Sequence, residues 1–379
     1  MLPFFDEDQA ILGSRVSAWV RERFFTQRGT ESAVEKRALQ LARELGSAGF
    51  LKYTVPQEFG GIRNPVQARD LCILREELAH GDALADTMFA MQALGSFPIA
   101  LAGTELQKRN YLPKVAAGTA VAAFAITEPE AGSDVASMRT RALPQGSEFS
   151  ITGSKHFISN AGIADFYVVF ASTEPEKRAK GVSGFVVDAS APGLVIKEKI
   201  EMLSAHPMGV VEFDNCLVGE HALLGKEGEG LQIAFATLDL LRCTVGAAAV
   251  GLAQRAFDEA VQYSKTRRQF GRALAEFQGI EFKLAKMATE LEAARLLVYQ
   301  AAWAHDCAGN DSKLKSSMAK FYATEAAQRI VDQALQIHGA AGLIAGSIME
   351  RLYRDVRALR IYEGTSEIQK VIIARELLK

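Results

Sequence analysis

Apolar residues change their spacing twice along the chain. From residue 6 to about 118 they recur every three to four positions, with Leu41, Leu45 and Ala48 in one stretch and Leu71, Leu74, Leu78 and Ile99 in the next. That period predicts amphipathic helices, interrupted by loops at Gly60-Gly61 and Asn64-Pro65. From about 119 to 224 the pattern shortens to runs rich in Val, Ile and Phe, at 149–151, 166–171, 185–187, 194–196 and 210–213, bounded by Gly, Pro and Ser. These predict strands at the spacing of a small barrel or sandwich. No long helical pattern separates them, which excludes a doubly wound sheet. From Leu231 onward helical spacing returns. The stretch 277–306, broken only by Gly279, predicts a helix of about 45 Å at 1.5 Å per residue, and antiparallel helices of such length make a four-helix bundle. The expected protein is mostly α with a central β domain: an N-terminal helical domain over 1–118, a β-barrel or sandwich over 119–224 and a four-helix bundle over 225–379.

Composition narrows the classes. Half of the 379 residues are hydrophobic, and 43 Lys and Arg balance 45 Asp and Glu. A soluble globular protein is expected, and no basic stripe suggests nucleic acid. Cys72, Cys216, Cys243 and Cys307 are scattered, as reduced thiols of a cytoplasmic protein would be. The first eight residues carry acids where a signal peptide needs a basic, then apolar, run. No segment is expected to reach membrane-spanning length without charge. The six histidines show no ligand spacing, so no metal site is expected. GxSxG, GxGxxG and GxxxxGK[ST] patterns are absent. A dinucleotide would have to bind by another route.

Five short motifs remain, each open to an ordinary structural explanation. Arg360-Ile361-Tyr362-Glu363-Gly364-Thr365-Ser366-Glu367-Ile368-Gln369 sets a carboxylate beside a glycine at a helix start. Thr365 or Ser366 can cap that helix, and Ser366 with Gln369 has capping-box spacing. Such a terminus suits an anion, though taken alone a loop glutamate before a capped helix explains it better. The run 121–126 leads into Thr127-Glu128-Pro129-Glu130-Ala131-Gly132-Ser133-Asp134, whose turn exposes N–H groups and a hydroxyl. Phe157 and Ser159 are two apart on a strand, suited to stacking on a flat ring and bonding its edge, or to a cross-strand core pair. Arg267-Arg268-Gln269-Phe270-Gly271-Arg272, with Phe277-Gln278, suits a pyrophosphate and adenine, or is a solvated helix end. Gln336-Ile337-His338-Gly339-Ala340-Ala341-Gly342 permits close backbone approach, or is a C-cap.

Together and in this order, over nearly the whole chain, the motifs resemble the acyl-CoA dehydrogenase family. The resemblance implies the same three-part architecture and an FAD bound without a Rossmann fingerprint. It matches the flavin-contacting segment to Phe124, Ala125, Ile126 and Thr127, the thioester-contacting serine to Ser133, and the strand over the flavin to Phe157, Ile158 and Ser159. Arg267, Phe270, Gln278 and Gln336 to Gly339 match segments that reach FAD in a neighbouring subunit, which implies a homo-oligomer, usually a dimer of dimers. Thr365 and Glu367 match contacts to the FAD diphosphate and adenosine. Glu363 matches the base that takes the α-proton while a hydride passes from the β-carbon to flavin N5. The Glu363 N–H and a ribityl hydroxyl would polarise the thioester carbonyl, with Gly364 beside them. Relatives that carry the base on a bundle helix align through Asp239 and Arg242, both assigned to substrate, and place Leu241 there. The implied electron acceptor is an electron-transfer flavoprotein or oxygen.

One segment departs from the family. Across 201–213 the common Gly, Arg and Ser/Thr pattern is missing and the loop is about two residues shorter. This loop lies near the pantetheine arm in the family, so either a carrier protein replaces CoA or the loop has drifted neutrally. Met88 and Met91, on the helix matching the family's acyl pocket, make it apolar. A flavin-bound module without dehydrogenation is the third alternative, but such side branches lack the balanced charge or the intact base found here.

Overall fold

The computed structural model describes residues 4–26, 33–308 and 312–379; Met1 to Pro3 of the acidic N-terminal stretch lie outside these residues. Five helices come first: α1 (Glu7–Val20), α2 (Val34–Ser47), α3 (Ala68–Gly81), α4 (Ala83–Ala102) and α5 (Glu105–Ala117). Eight strands follow: β1 (Ala122–Ala125), β2 (Arg141–Gln145), β3 (Glu148–Ser159), β4 (Phe166–Ser172), β5 (Val182–Asp188), β6 (Leu194–Lys199), β7 (Met208–Gly219) and β8 (Leu223–Leu224). Then come α6 (Gly230–Thr266), a short hairpin of β9 (Arg268–Gln269) and β10 (Arg272–Ala273), α7 (Gln278–Trp303), α8 (Ser312–His338), α9 (Ile348–Ala358) and α10 (Ser366–Leu377). Contacts group the chain into two compact units, one of Met1–Thr30, Ala68–Asp86 and Arg242–Lys379, the other of Glu31–Gln67 and Thr87–Leu241.

The second unit holds the sheet. Its order is β6-β7-β3-β2-β4-β5-β8, with β1 added beside β4. All seven residues of β4 are buried, so this strand reads as continuous apolar sequence and not as an alternation. The pairings β1–β4 and β2–β4 are parallel; the others are antiparallel. Every predicted run lies within a strand. Strand β2 was not foreseen because only Ala142 among its five residues is buried, which leaves no apolar period to detect. Gln92 on α4 closes the start of β1, donating to Ala120 O (2.7 Å) and accepting from Ala122 N (2.7 Å). The first turn of α6 rests on β5: a Cβ at Gly230 would stand 2.5 Å from the Ser183 carbonyl carbon.

In the other unit α7 and α8 pack along each other, and α9 and α10 lie on α8. The helix expected over 277–306 is regular from Gln278 to Trp303. Helix α6 is longer still, 37 residues and about 55 Å. Its Ala247, Ala248, Ala249, Ala253, Ala256 and Ala260 are buried, and residues this small let helices approach closely. The expectation that no segment reaches membrane-spanning length needs correction. Helices α4 and α6 are long and apolar enough, but 72% and 78% of their most apolar windows are buried within the protein.

A buried ion pair fixes the entry to the sheet. Lys155 Nζ, wholly buried on β3, donates to Glu128 Oε1 (2.7 Å) and Ile126 O (3.2 Å). Burial pulls the Lys155 pKa down to about 8 against the attraction of Glu128. Glu128 also accepts from the backbone N–H of Arg139 and of Thr140. Replacing Glu128→Leu would leave a buried ammonium without counter-charge, at a cost of about 3–5 kcal/mol. The urea unfolding midpoint is expected to fall accordingly; a loss below about 1 kcal/mol would contradict the role given to this pair.

Candidate active site

Glu363 lies in the turn between α9 and α10. The turn closes on itself through Tyr362 N to Ala358 O and Ser366 N to Arg360 O (3.0 Å). Glu363 (φ 52°) and Gly364 (φ 89°) are successive left-handed residues. Glycine takes that conformation freely, whereas a glutamate is strained there by about 1–2 kcal/mol. A side chain at Gly364 would also meet Gln369 Nε2 at 2.6 Å. Thr365 is the N-cap of α10 and accepts from Ile368 N (3.3 Å). The Ser366–Gln369 capping box is not formed. Ser366 Oγ instead donates to Glu325 Oε1 (2.7 Å), where Arg360 Nε also arrives (2.8 Å), and Gln369 Nε2 donates to Gly364 O (2.9 Å). Lys320 of α8, fully buried, donates to Tyr362 O (2.7 Å) and Gly364 O, the carbonyls on either side of Glu363.

Charge gathers around the Glu363 carboxyl. Burial pushes its pKa above the usual glutamate value, and the cations Arg75 and Lys320 offset only part of that rise. Oε2 is buried and has no hydrogen-bond partner among the described residues. Arg75 of α3 is committed elsewhere: Nε and Nη2 grip Asp86 (2.8 and 2.9 Å) and Nη1 donates to Thr244 Oγ1 (3.0 Å). Burial also draws the Lys320 pKa down to about 8, with Glu363 the chief opposing charge. Arg242, assigned to substrate, is buried on α6 and contributes to the same field. Lys320, Arg75 and Asp86 were missed from sequence. A signal existed for Lys320, which falls on the buried stripe Ser316, Lys320, Ala323, Ala327 of α8, where helical spacing calls for small or apolar residues.

In the sheet unit the candidates converge on β1 and β3. Phe124 is buried against Phe170 (ring centroids 5.0 Å) and Ile126 is buried beside it, while Thr127 is half-buried. The Thr127 carbonyl accepts from His156 N (2.8 Å) and the Ile126 carbonyl from Lys155, so β3 fixes this segment from two adjacent residues. Ser133 is exposed on the turn that follows. Strand β3 carries a bulge between Lys155 and Ile158, and Phe157 in it has φ 55° and is 55% exposed. Phe157 and Ser159 keep to the open side with Ile158, 1% exposed, between them, as alternation predicts.

The departing loop returns to this strand. His206 Nδ1 meets Ser204 O (3.0 Å), and a carbonyl only accepts, so Nδ1 carries the hydrogen. Nε2 is then the acceptor for the Ser159 hydroxyl at 3.2 Å. Burial holds the His206 pKa below 6.5, keeping the ring neutral.

Asp239 and Leu241 lie on the first half of α6, Asp239 half-buried and Leu241 buried. One end of the helical unit carries the other candidates. The Tyr263 ring stacks on His338 at 4.3 Å, which brings the start of the β9–β10 hairpin, with exposed Arg267, to the Gly339 turn (φ 58°). Gln278 and Gln336 are exposed, and Phe270 (φ 51°) is 93% exposed. Glu367 is exposed in the first turn of α10, its carboxyl lowered by backbone and Thr365 hydrogen bonds. Three of the six non-glycine residues with positive φ among the described residues, Phe157, Phe270 and Glu363, were thus assigned to the site from sequence. Strain of this kind gathers where function demands a geometry.

Family models match along the chain: acyl-CoA dehydrogenase N-terminal domain over 6–119, middle domain over 123–216 and C-terminal domain over 228–378. An acyl-CoA dehydrogenase of Bacillus subtilis is 39% identical over 375 residues, 98% of each chain. The structure of butyryl-CoA dehydrogenase from Megasphaera elsdenii superposes with a TM-score of 0.91 at 32% identity over 99% of each chain. That of the prolyl acyl carrier protein oxidase AnaB does so with a TM-score of 0.90 at 29% identity, covering 98% of this chain and 99% of that one.

The neutral His206 has a consequence for stability. As pH falls through about 6.5 the unfolded chain takes up a proton that the folded protein refuses, so stability declines with acidification, by at most about 1.4 kcal/mol per pH unit. Between pH 7.5 and 5.5 the wild type is expected to lose more of its unfolding midpoint than His206→Gln, which cannot titrate. Equal losses would show that His206 is not held neutral.

Proposed function

The chain belongs to the acyl-CoA dehydrogenase family of flavoprotein oxidoreductases, and on that premise we propose that it is an FAD-dependent acyl-thioester dehydrogenase in which Glu363 removes the α-proton. One observation carries this assignment above all: a strained glutamate whose buried Oε2 has no hydrogen-bond partner among the described residues, with the cations Arg75 and Lys320 bonded elsewhere. Such a carboxylate keeps a lone pair free for a carbon-bound proton, and its raised pKa makes it a stronger base.

The residues fit a flavin. Phe157 offers an exposed flat ring beside the Ser159 hydroxyl, and the α10 N-terminus, capped by Thr365, suits a phosphate group. Thr127 and the backbone of 124–127 would join Phe157, Ile158 and Ser159 in holding the ring system; Thr365 and Glu367 would meet the diphosphate and adenosine. When bound, FAD supplies the acceptor for the hydride leaving the β-carbon. The chain must do the rest. Ser133, Asp239, Arg242 and Gly364 are assigned to the thioester. Among the described residues the N–H of Glu363 meets no backbone carbonyl, and so is available to the thioester oxygen as its α-carbon loses a proton. The reverse reduction would use the same groups.

Arg267, Phe270, Gln278, Gln336 and Gly339 are assigned to the FAD of a neighbouring copy of the chain. The exposure of Phe270, Phe282, Leu343 and Ile344 supports such assembly, because burying large apolar side chains against a second copy removes them from water. A second reading is that the acyl group is tethered to a carrier protein. The altered 201–213 segment and the likeness to AnaB favour it.

Purified protein is expected to be yellow, and an anaerobic screen of acyl-CoAs and carrier-bound acyl groups to bleach its flavin. Bleaching by carrier-bound groups alone decides for the second reading, and bleaching by none removes both. Glu363→Gln should keep FAD and lose on the order of 10³-fold or more in kcat; full activity in that variant removes Glu363 as the base. Since the base must be deprotonated and its pKa is raised, the acidic limb of kcat/KM should lie above the ordinary glutamate value of 4.5. A limb at or below that value would count against the dry environment given to Glu363.

A further inference from the structure

The geometry points to Lys320 as the positioning residue that aims the Glu363 N–H at the thioester oxygen, an inference that rests on the reaction proposed above. A trans peptide is planar, with its C=O and N–H directed oppositely. Lys320 Nζ binds Tyr362 O at 2.7 Å, so the N–H of Glu363, across the same peptide plane, is directed away from the lysine. It also binds Gly364 O, the carbonyl on the other side of Glu363. The carbonyl between them, Glu363 O, faces Gln369 Nε2 at 3.5 Å, and the same Nε2 reinforces Gly364 O at 2.9 Å. Three successive carbonyls are therefore gathered on the side of α8 and α10. The consecutive positive φ values of Glu363 and Gly364 shape the turn in which the carbonyls of residues 362 and 364 reach one ammonium.

Charge adds to geometry. An ammonium at the carbonyl end polarises a peptide, so the N–H at its other end becomes a better donor. Packing alone gives no reason for a lysine here. Its neighbours along the buried face of α8 are Ser316, Ser317, Ala319, Ala323 and Thr324, and burying an ammonium among them is costly. An uncharged side chain of similar length would fill the space but leave both carbonyls unbound.

The test uses the flavin-loaded enzyme and two variants, Lys320→Met and Lys320→Gln. Two quantities are read per bound flavin: kcat and KM with whichever acyl thioester bleaches the flavin, and the affinity for its 3-oxo derivative, which enolises in place and is followed by ultraviolet difference absorbance. In Lys320→Met, kcat should fall by about 100-fold or more with KM moved less than about threefold, and enolate affinity should fall in step. Lys320→Gln keeps a donor and loses the charge, so it should recover part of both. Should Lys320→Met fail to fold, Lys320→Gln is read alone and a fall in kcat at unchanged KM is still expected. Values within threefold of the wild type in whichever variant folds overturn the inference, as does a loss that only follows FAD content. Failure of the premise is separable. Glu363→Gln, which lacks the base that takes the α-proton, should keep FAD and lose dehydrogenation and in-place enolisation together; a wild type that does neither with any thioester removes the proposed reaction and not Lys320 alone.

Discussion

A carboxylate that is to accept a proton from carbon must be dry, and a dry carboxylate needs positive charge nearby that does not bind it directly. This constraint organises the surroundings of Glu363. A cation with a free fork beside the carboxylate could pair with it directly, and such a pair would lower the basicity it is meant to support. Asp86 occupies the fork of Arg75 and Thr244 takes the remaining nitrogen. Lys320 is spent on two carbonyls. Both cations contribute field while bonded elsewhere, and among the described residues Oε2 remains without a partner. Arg75, Asp86 and Lys320 are thus each held by a contact that is not with Glu363.

The same economy governs the backbone. Left-handed residues with side chains cost energy, and the protein places them where a ring or a carboxyl must leave the regular path of its element. At Phe157 the bulge turns an aromatic ring outward from a strand whose neighbouring Lys155 and Ile158 stay buried. At Glu363 the turn is over-determined by Lys320, Gln369, the Thr365 cap and the Ser366–Glu325 bond. Strain with so many restraints around it does not relax.

What could be seen in the chain beforehand divides along the range of the interactions. Helices, strands and the Thr365 cap depend on spacing within a few residues, and runs such as 166–171 announce them. The departure at 201–213 was visible, but its contact with Ser159 spans 47 residues, and nothing local indicates where a loop histidine comes to rest. Lys320 and Tyr362 are 42 residues apart. A charge inside an apolar stripe violates the period without naming the partner that satisfies it. The misplaced capping box has the same origin: Ser366 and Gln369 have the right spacing, but Glu325 and the Gly364 carbonyl compete for them across space and win. Strand β2 left no trace because burial, not alternation, is what periodicity detects, and four of its residues face water.

The histidine beneath Ser159 gives the open face of β3 a polarity. A hydroxyl has one hydrogen, and that of Ser159 is spent on His206 Nε2, since Nδ1 is engaged with the Ser204 carbonyl. In every other direction Ser159 presents only lone pairs. Any ring edge that meets it must bring its own hydrogen, and an edge bearing a bare nitrogen is turned away. A single proton added to the imidazole would invert this choice: Nε2 would become a donor, and the serine hydrogen would be released to the open side.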